Sequence, residues 1–145
     1  MKSFRPKRVL FVCVGNSCRS QMAEGFARCY GEDVMKPASA GLAPAWIVMP
    51  ETVHTMAEKN IDISDQYPKP LHPELASKSD LIVNMSGEDL PDEIRTPVRN
   101  WLVRDPIGET ESTYREVRDQ IEQLVMDLIL EMRRANERSE PVPRR

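Results

Sequence analysis

An unbroken apolar run, Val9-Leu10-Phe11-Val12-Cys13-Val14, stops at Gly15, and helical spacing begins within a few residues of it. Such a run, rich in valine and bounded by Pro6 and Gly15, describes a strand buried on both faces. Over Ser20–Tyr30, Met22, Phe26, Cys29 and Tyr30 fall on one helical face, and Gly31 stands where a C-terminal cap belongs. Strand, tight turn and helix in that order restrict the chain to folds in which a buried strand hands over to a packed helix.

The rest of the chain repeats the alternation. Met35–Ala40 reads as a second strand and Glu51–Lys59 as a helix with Val53, Met56 and Ala57 inward. Glu74–Lys78 reads as a short helix, Asp80–Met85 as a third strand and Glu88–Ile94 as a helical turn. Arg99–Val103 reads as a fourth, shorter strand ending at Asp105-Pro106. Tyr114, Val117, Ile121, Leu124, Val125, Leu128 and Met132 keep the spacing of an amphipathic helix. Thr113 and Glu116 form a capping box at its start. Strands alternating with helices imply an α/β fold, a single-domain four-stranded parallel sheet with helices on both faces. Ligands of such sheets bind beyond the carboxyl ends of the strands. Three loops leave in that direction: Cys13–Ser20, Gly41–Pro50 and Arg104–Ser112.

With 145 residues the chain fits one domain. The expected division is a basic tail over 1–7, an α/β domain over 8–135 and a polar, disordered tail over 136–145, where Pro141 and Pro143 fall. Twenty basic against 23 acidic residues leave a net charge of −3, which argues against nucleic acid as a partner. No apolar run approaches the ~20 residues of a membrane span, so no membrane is expected. The charged N-terminus lacks the apolar core of a secretory signal. Three cysteines, an odd number, point away from a disulfide framework and toward a cytoplasmic setting. Cys13 and Cys18 lack a second ligand pair, and His54 and His72 are distant, so no zinc site is expected. No Gly-x4-Gly-Lys-Ser/Thr occurs.

Chemistry concentrates in Cys13-Val14-Gly15-Asn16-Ser17-Cys18-Arg19-Ser20. A tight turn feeding a helix N-terminus aims backbone N–H groups at one point, an anion cradle. Gly15 and Asn16 are residue types that tolerate unusual backbone angles. Arg19 offers a fork of donors for two oxygens of a tetrahedral anion. The same field favours the thiolate form of Cys13, a nucleophile aimed at phosphorus, and the Ser20 hydroxyl suits the sulfur as a donor. Asp105, stiffened by Pro106, is the candidate acid for the leaving group and base for the water that follows. The expected cycle passes through a cysteinyl-phosphate and needs no metal or other cofactor.

Cys-x5-Arg-Ser after an aliphatic strand, with a distal Asp-Pro, resembles the low-molecular-weight protein tyrosine phosphatase family. The likeness runs from Val9 to about Leu130 and takes in Ser39-Ala40-Gly41 and Asn60–Ser64. It implies that family's sheet, with a flavodoxin-like strand order. It implies Cys13 as nucleophile, Arg19 as anion clamp, Asp105 as general acid, Ser20 as thiolate donor and Asn16 as shaper of the loop. Val14, Gly15, Ser17 and Cys18 would complete the substrate cradle. The stretch Asn16–Gly25 and Tyr114–Asp119 are similar to the arsenate reductases that share this fold. Ile107-Gly108 follows Asp-Pro where the phosphatases usually carry aromatic residues, leaving Trp46 to supply an aromatic wall or merely to pack. Leu81–Asp92 contains no cysteine, so an arsenate reductase of this sequence needs an external thiol or the Cys13/Cys18 pair.

Three functions follow. The first is hydrolysis of phosphomonoesters, on a phosphorylated protein or a small aryl phosphate. The alternative is arsenate reduction with an external thiol donor of the glutathione or glutaredoxin kind. The third is an oxyanion-binding module without turnover. Cys18 reads either as a small loop residue or as a disulfide partner for Cys13. Cys29 reads as core, and His54 and His72 as surface or capping residues. Met49, Met56, Met85, Met126 and Met132 read as core filler. Glu88, Asp89, Asp92 and Glu93 read as a solvated face, as do Arg118, Glu122, Arg133 and Arg134 on the last helix.

Overall fold

The computed structural model describes residues 5–139, which fold as four strands and four helices. They are β1 (Lys7–Cys13), α1 (Arg19–Tyr30), β2 (Met35–Gly41), α2 (Pro50–Ala57), α3 (Pro73–Ser77), β3 (Leu81–Asn84), β4 (Val98–Asn100) and α4 (Glu111–Ser139). Strand order is β2-β1-β3-β4 with every pairing parallel. β1 is therefore central, with the order of strands reversing beside it. Pro37 is accommodated because β2 is an edge strand and needs no donor on its open side.

Alternation along β1 divides the core. Val9, Phe11 and Cys13 face a large cluster with Met22, Phe26, Met56, Tyr114, Ile121 and Val125, drawn from α1, α2 and α4. Leu10 and Val12 face a thinner layer with Ala40, Ala76 and Ile82, covered by α3 and neighbouring loops. Helices thus lie on both faces, but unequally. Gly31 ends α1, donating to the Ala27 carbonyl. Its φ is an ordinary −131°; glycine is needed because a Cβ there would stand 2.8 Å from the Ile129 side chain.

Several expectations are corrected. Thr113 does not cap α4, which begins at Glu111; the Thr110 hydroxyl instead accepts the Thr113 N–H at 3.3 Å, one turn earlier than the Thr113/Glu116 box. Glu88–Ile94 is not helical: Pro91 admits only a single turn closed by the Ile94 N–H, and the Asn84 side chain holds the Glu88 carbonyl. β4 stops at Asn100 rather than Val103. Cys29 is exposed, because Tyr30 takes the inward place, stacking on Phe26 and donating to Glu122. Arg118 is buried, not solvated: its guanidinium donates to the Thr55 carbonyl and Glu58 at the end of α2. α4 continues through Asn136–Ser139, residues read as part of a tail; the remaining tail positions 1–4 and 140–145 lie outside the described residues. His72 caps α3 by accepting the Glu74 N–H, as expected.

Candidate active site

β1 delivers Cys13 to the carboxyl edge of the sheet, and the chain turns through Val14–Cys18 into α1. Asn16 takes the left-handed position of this turn, with φ 50°. Gly15 does not, so only one of the two permissive residues is used that way. Asn16, Ser17, Cys18, Arg19 and Ser20 are all buried, while Val14 and Gly15 are partly open.

The second expected loop lies along the first. Leu42, Ala43, Ala45 and Met49 donate their N–H groups to the carbonyls of Cys13, Val14, Gly15 and Ser17. Thr52 adds its hydroxyl to the Ser17 carbonyl. These bonds tie the turn's carbonyls to the neighbouring loop, the arrangement in which successive N–H groups of a turn can face an anion.

The hydrogen bonds around the sulfur have one consistent direction. The Lys69 backbone N–H, only a donor, meets Asn16 Oδ1 at 2.9 Å. That fixes the amide so that Asn16 Nδ2 donates to Ser20 Oγ at 2.8 Å. The single Ser20 proton is then free for Cys13 Sγ, 2.8 Å away. The sulfur thus has a donor placed for its anionic form.

Arg19 is buried, and its Nη1 donates to the Met85 carbonyl at 2.5 Å and the Val103 carbonyl at 3.0 Å. These carbonyls follow β3 and β4. With both Nη1 protons committed, Nε and Nη2 keep the edge suited to two anion oxygens. Arg19 Nη2 lies 3.8 Å from the exposed Asp105 carboxylate, whose Oδ1 accepts the Ile107 N–H. Burial pushes the Cys18 thiol up to about 12, opposed by a Thr52 hydrogen bond and the Arg19 charge. Cys18 is therefore a protonated, weak nucleophile at neutral pH.

The structure brings Cys13, Asn16, Arg19, Ser20 and Asp105 together. Trp46 sits on the loop bonded to Gly15, with 99% of its surface exposed, so it does not pack. The carbonyls of Met85 and Val103 and the Gln66–Lys69 segment were not foreseen. Backbone acceptors leave no residue-type signature.

The fold and this geometry define an α/β protein with a cysteine at the carboxyl end of its central strand and a buried polar turn leading into α1. The chain belongs to the low molecular weight phosphotyrosine protein phosphatase family, whose sequence pattern matches residues 8–138. It is 39% identical over 127 residues to a glutaredoxin arsenate reductase of Synechocystis sp., covering 85% of this chain and 96% of that one. It is 37% identical over 119 residues to arsenate reductase 1 of Bacillus cereus, covering 79% and 88%. Among solved structures, an arsenate reductase in the phosphate-binding state superposes with a TM-score of 0.81 at 38% identity, over 87% of this chain and 98% of that one. An arginine phosphatase from Geobacillus stearothermophilus superposes at 0.83 over 95% of this chain and all of its own, but at 23% identity shares the fold alone.

Proposed function

We propose that the protein reduces arsenate to arsenite, using Cys13 as nucleophile and an external thiol as electron donor. This reverses the order read from sequence, where phosphomonoester hydrolysis came first. The loop geometry suits either tetrahedral anion; the reductase relatives at 37–39% identity carry the choice between them.

In this reading the amides of Val14–Cys18 and the free edge of Arg19 hold three oxygens of arsenate. Cys13 attacks arsenic while Asp105 protonates the departing hydroxide, leaving a sulfur–arsenic bond and a water. An external thiol then attacks Cys13 sulfur. The sulfur–arsenic electron pair stays on arsenic, which leaves as arsenite, reduced by two electrons. A second thiol resolves the mixed disulfide and returns Cys13. The sum is arsenate, two thiols and a proton giving arsenite, water and one disulfide. The high Cys18 value and the absence of cysteine from Leu81–Asp92 favour an external donor of the glutathione or glutaredoxin kind. The free cysteines accord with a cytoplasmic setting.

The second reading keeps the same loop and releases phosphate from Cys13 by water that Asp105 activates. The exposed Trp46 favours it, since a small ion has no use for an aromatic rim. Steady-state rates on arsenate with glutathione/glutaredoxin and with thioredoxin, beside an aryl phosphate, separate the two. Thiol-dependent arsenite formation, abolished in Cys13→Ser and lowered about 10²–10⁴-fold in Asp105→Asn, is expected. Aryl phosphate hydrolysis with no arsenite from any donor overturns the reductase; no turnover of either leaves an anion-binding module.

A further inference from the structure

Gln21 has no part in the cycle above, yet it is wholly buried beside the oxyanion turn and fully engaged. Its Nε2 donates to the Asn16 carbonyl at 2.9 Å and the Tyr67 carbonyl at 3.0 Å. Its Oε1 and backbone carbonyl accept from Gln66 Nε2 at 2.7 and 3.1 Å. One carboxamide thus ties the left-handed Asn16 peptide to the Gln66–Lys69 segment. That segment supplies the Lys69 N–H, the donor that fixes the Asn16 side chain.

We infer that Gln21 is a positioning residue for the Cys13 thiolate, acting through Asn16 and Ser20. The inference rests on Cys13 being the nucleophile of the proposed reaction. Its physical content is an amide orientation. With Lys69 held in place, Asn16 presents its NH2 to Ser20, and the Ser20 proton goes to sulfur. Lys69 is also held through its carbonyl by the Gly41 N–H, and Gln66 also bonds the backbone carbonyl of residue 21. Removing the Gln21 side chain takes away the direct tie between the Asn16 peptide and this segment, so that the Asn16 amide is no longer held against the Lys69 N–H and turns. Its oxygen then takes the Ser20 proton, and the sulfur loses that donor. An apolar side chain of the same length would also strand the Asn16 and Tyr67 carbonyls.

The test reads the sulfur itself, so it does not depend on whether arsenate or a phosphate ester is the substrate. In a Cys29→Ser background, Cys13 alkylation by iodoacetamide is followed by peptide mass spectrometry across pH, with thermal midpoints alongside. Arg19 on α1, Asp105 beyond β4, the neighbouring Cys18 and Tyr114 of α4, which faces Cys18 and Asp105, are ionisable groups around the sulfur, and all are retained. Gln21→Met is expected to slow alkylation at mildly acidic pH about three- to tenfold, the worth of one hydrogen bond, and to move the profile to higher pH. In a Ser20→Ala background the same substitution should add less than about twofold, because the route through Ser20 is already cut. An unmoved profile in folded Gln21→Met overturns the inference, whatever the thermal midpoint. So does an equal slowing in Ser20→Ala. Should Gln21→Met not fold, Gln66→Ala, which frees the same segment, must move the profile in the same direction; no movement overturns the inference.

Discussion

Gly41→Ala tests how tightly the turn after β1 is wedged against the sheet. Gly41 ends β2 directly opposite Cys13. Its N–H donates to the Lys69 carbonyl and its own carbonyl accepts the Leu71 N–H, so the backbone is held on both sides. A Cβ there would lie 2.7 Å from the Val14 carbonyl oxygen and 2.9 Å from the Asn16 nitrogen and Cβ. Ordinary contact begins near 3.4 Å, so turn and strand must part by roughly 0.5–0.7 Å. Displacing a reacting group by ~1 Å costs about 10²-fold in rate, so a loss of roughly 10- to 30-fold is expected. Overpacking of this kind costs about 1–3 kcal/mol of stability. The assay is thiol-dependent arsenite formation, repeated on an aryl phosphate, with thermal melting as the check on folding. Gly15→Ala is the comparison: its Cβ would meet only the Ser17 hydroxyl at 3.3 Å and Ala45 at 3.9 Å. The glycine outside the turn should therefore matter more than the one inside it. A folded Gly41→Ala within twofold of the parent rate, or a greater loss in Gly15→Ala, would refute the reasoning.

Two further substitutions have opposite logic. Trp46→Ala removes a ring that packs on nothing, so the thermal midpoint and the arsenate rate should hold while KM for an aryl phosphate rises about 3- to 10-fold. An equal loss on both substrates would instead make Trp46 a support of the loop. The Tyr114 hydroxyl is the one buried side-chain oxygen or nitrogen without a partner among the described residues, and burial pushes it up to about 12. Tyr114→Phe removes an unsatisfied group at almost no change in shape and should leave stability unchanged or raise it by about 1–2 kcal/mol in chemical denaturation. A loss above about 1 kcal/mol would show that the hydroxyl has an unseen partner.

Periodicity made the order of strands and helices, and the turn between β1 and α1, legible because each rests on local spacing. β1 needs only its aliphatic run, and α4 only its stripe from Tyr114 to Met132. What spacing could not reveal was decided between elements. Arg118 reads as solvated on α4 alone and becomes buried only because α2 ends against it. Cys29 shares a face with Met22, yet Tyr30 wins the inward place through partners on α1 and α4. In the site, Cys13, Arg19 and Asp105 have residue types that announce their chemistry. The Met85 and Val103 carbonyls that aim Arg19, and the Lys69 N–H that orients Asn16, are backbone atoms any residue could supply.

A pH dependence of stability is expected at the join between α2 and α4. Glu58 follows α2 and accepts from Arg115 and Arg118 of α4. The Arg115 hydrogen bond, then that of Arg118, holds its carboxyl down at about 2, far below the ordinary glutamate value near 4.5. A carboxyl depressed by folding stabilises the native state fully above its unfolded value and loses that contribution as pH falls through the folded one. The window is therefore about pH 4.5 down to 2. Because Arg118 is buried, losing the Glu58 charge also leaves a guanidinium short of its partner, with the Thr55 carbonyl and Asp119 remaining. Glu58→Gln should lower the thermal midpoint at pH 6, and the gap to the parent should close as both are acidified toward pH 2. A gap that stays constant over that range would mean that shape or packing, rather than charge, joins the two helices.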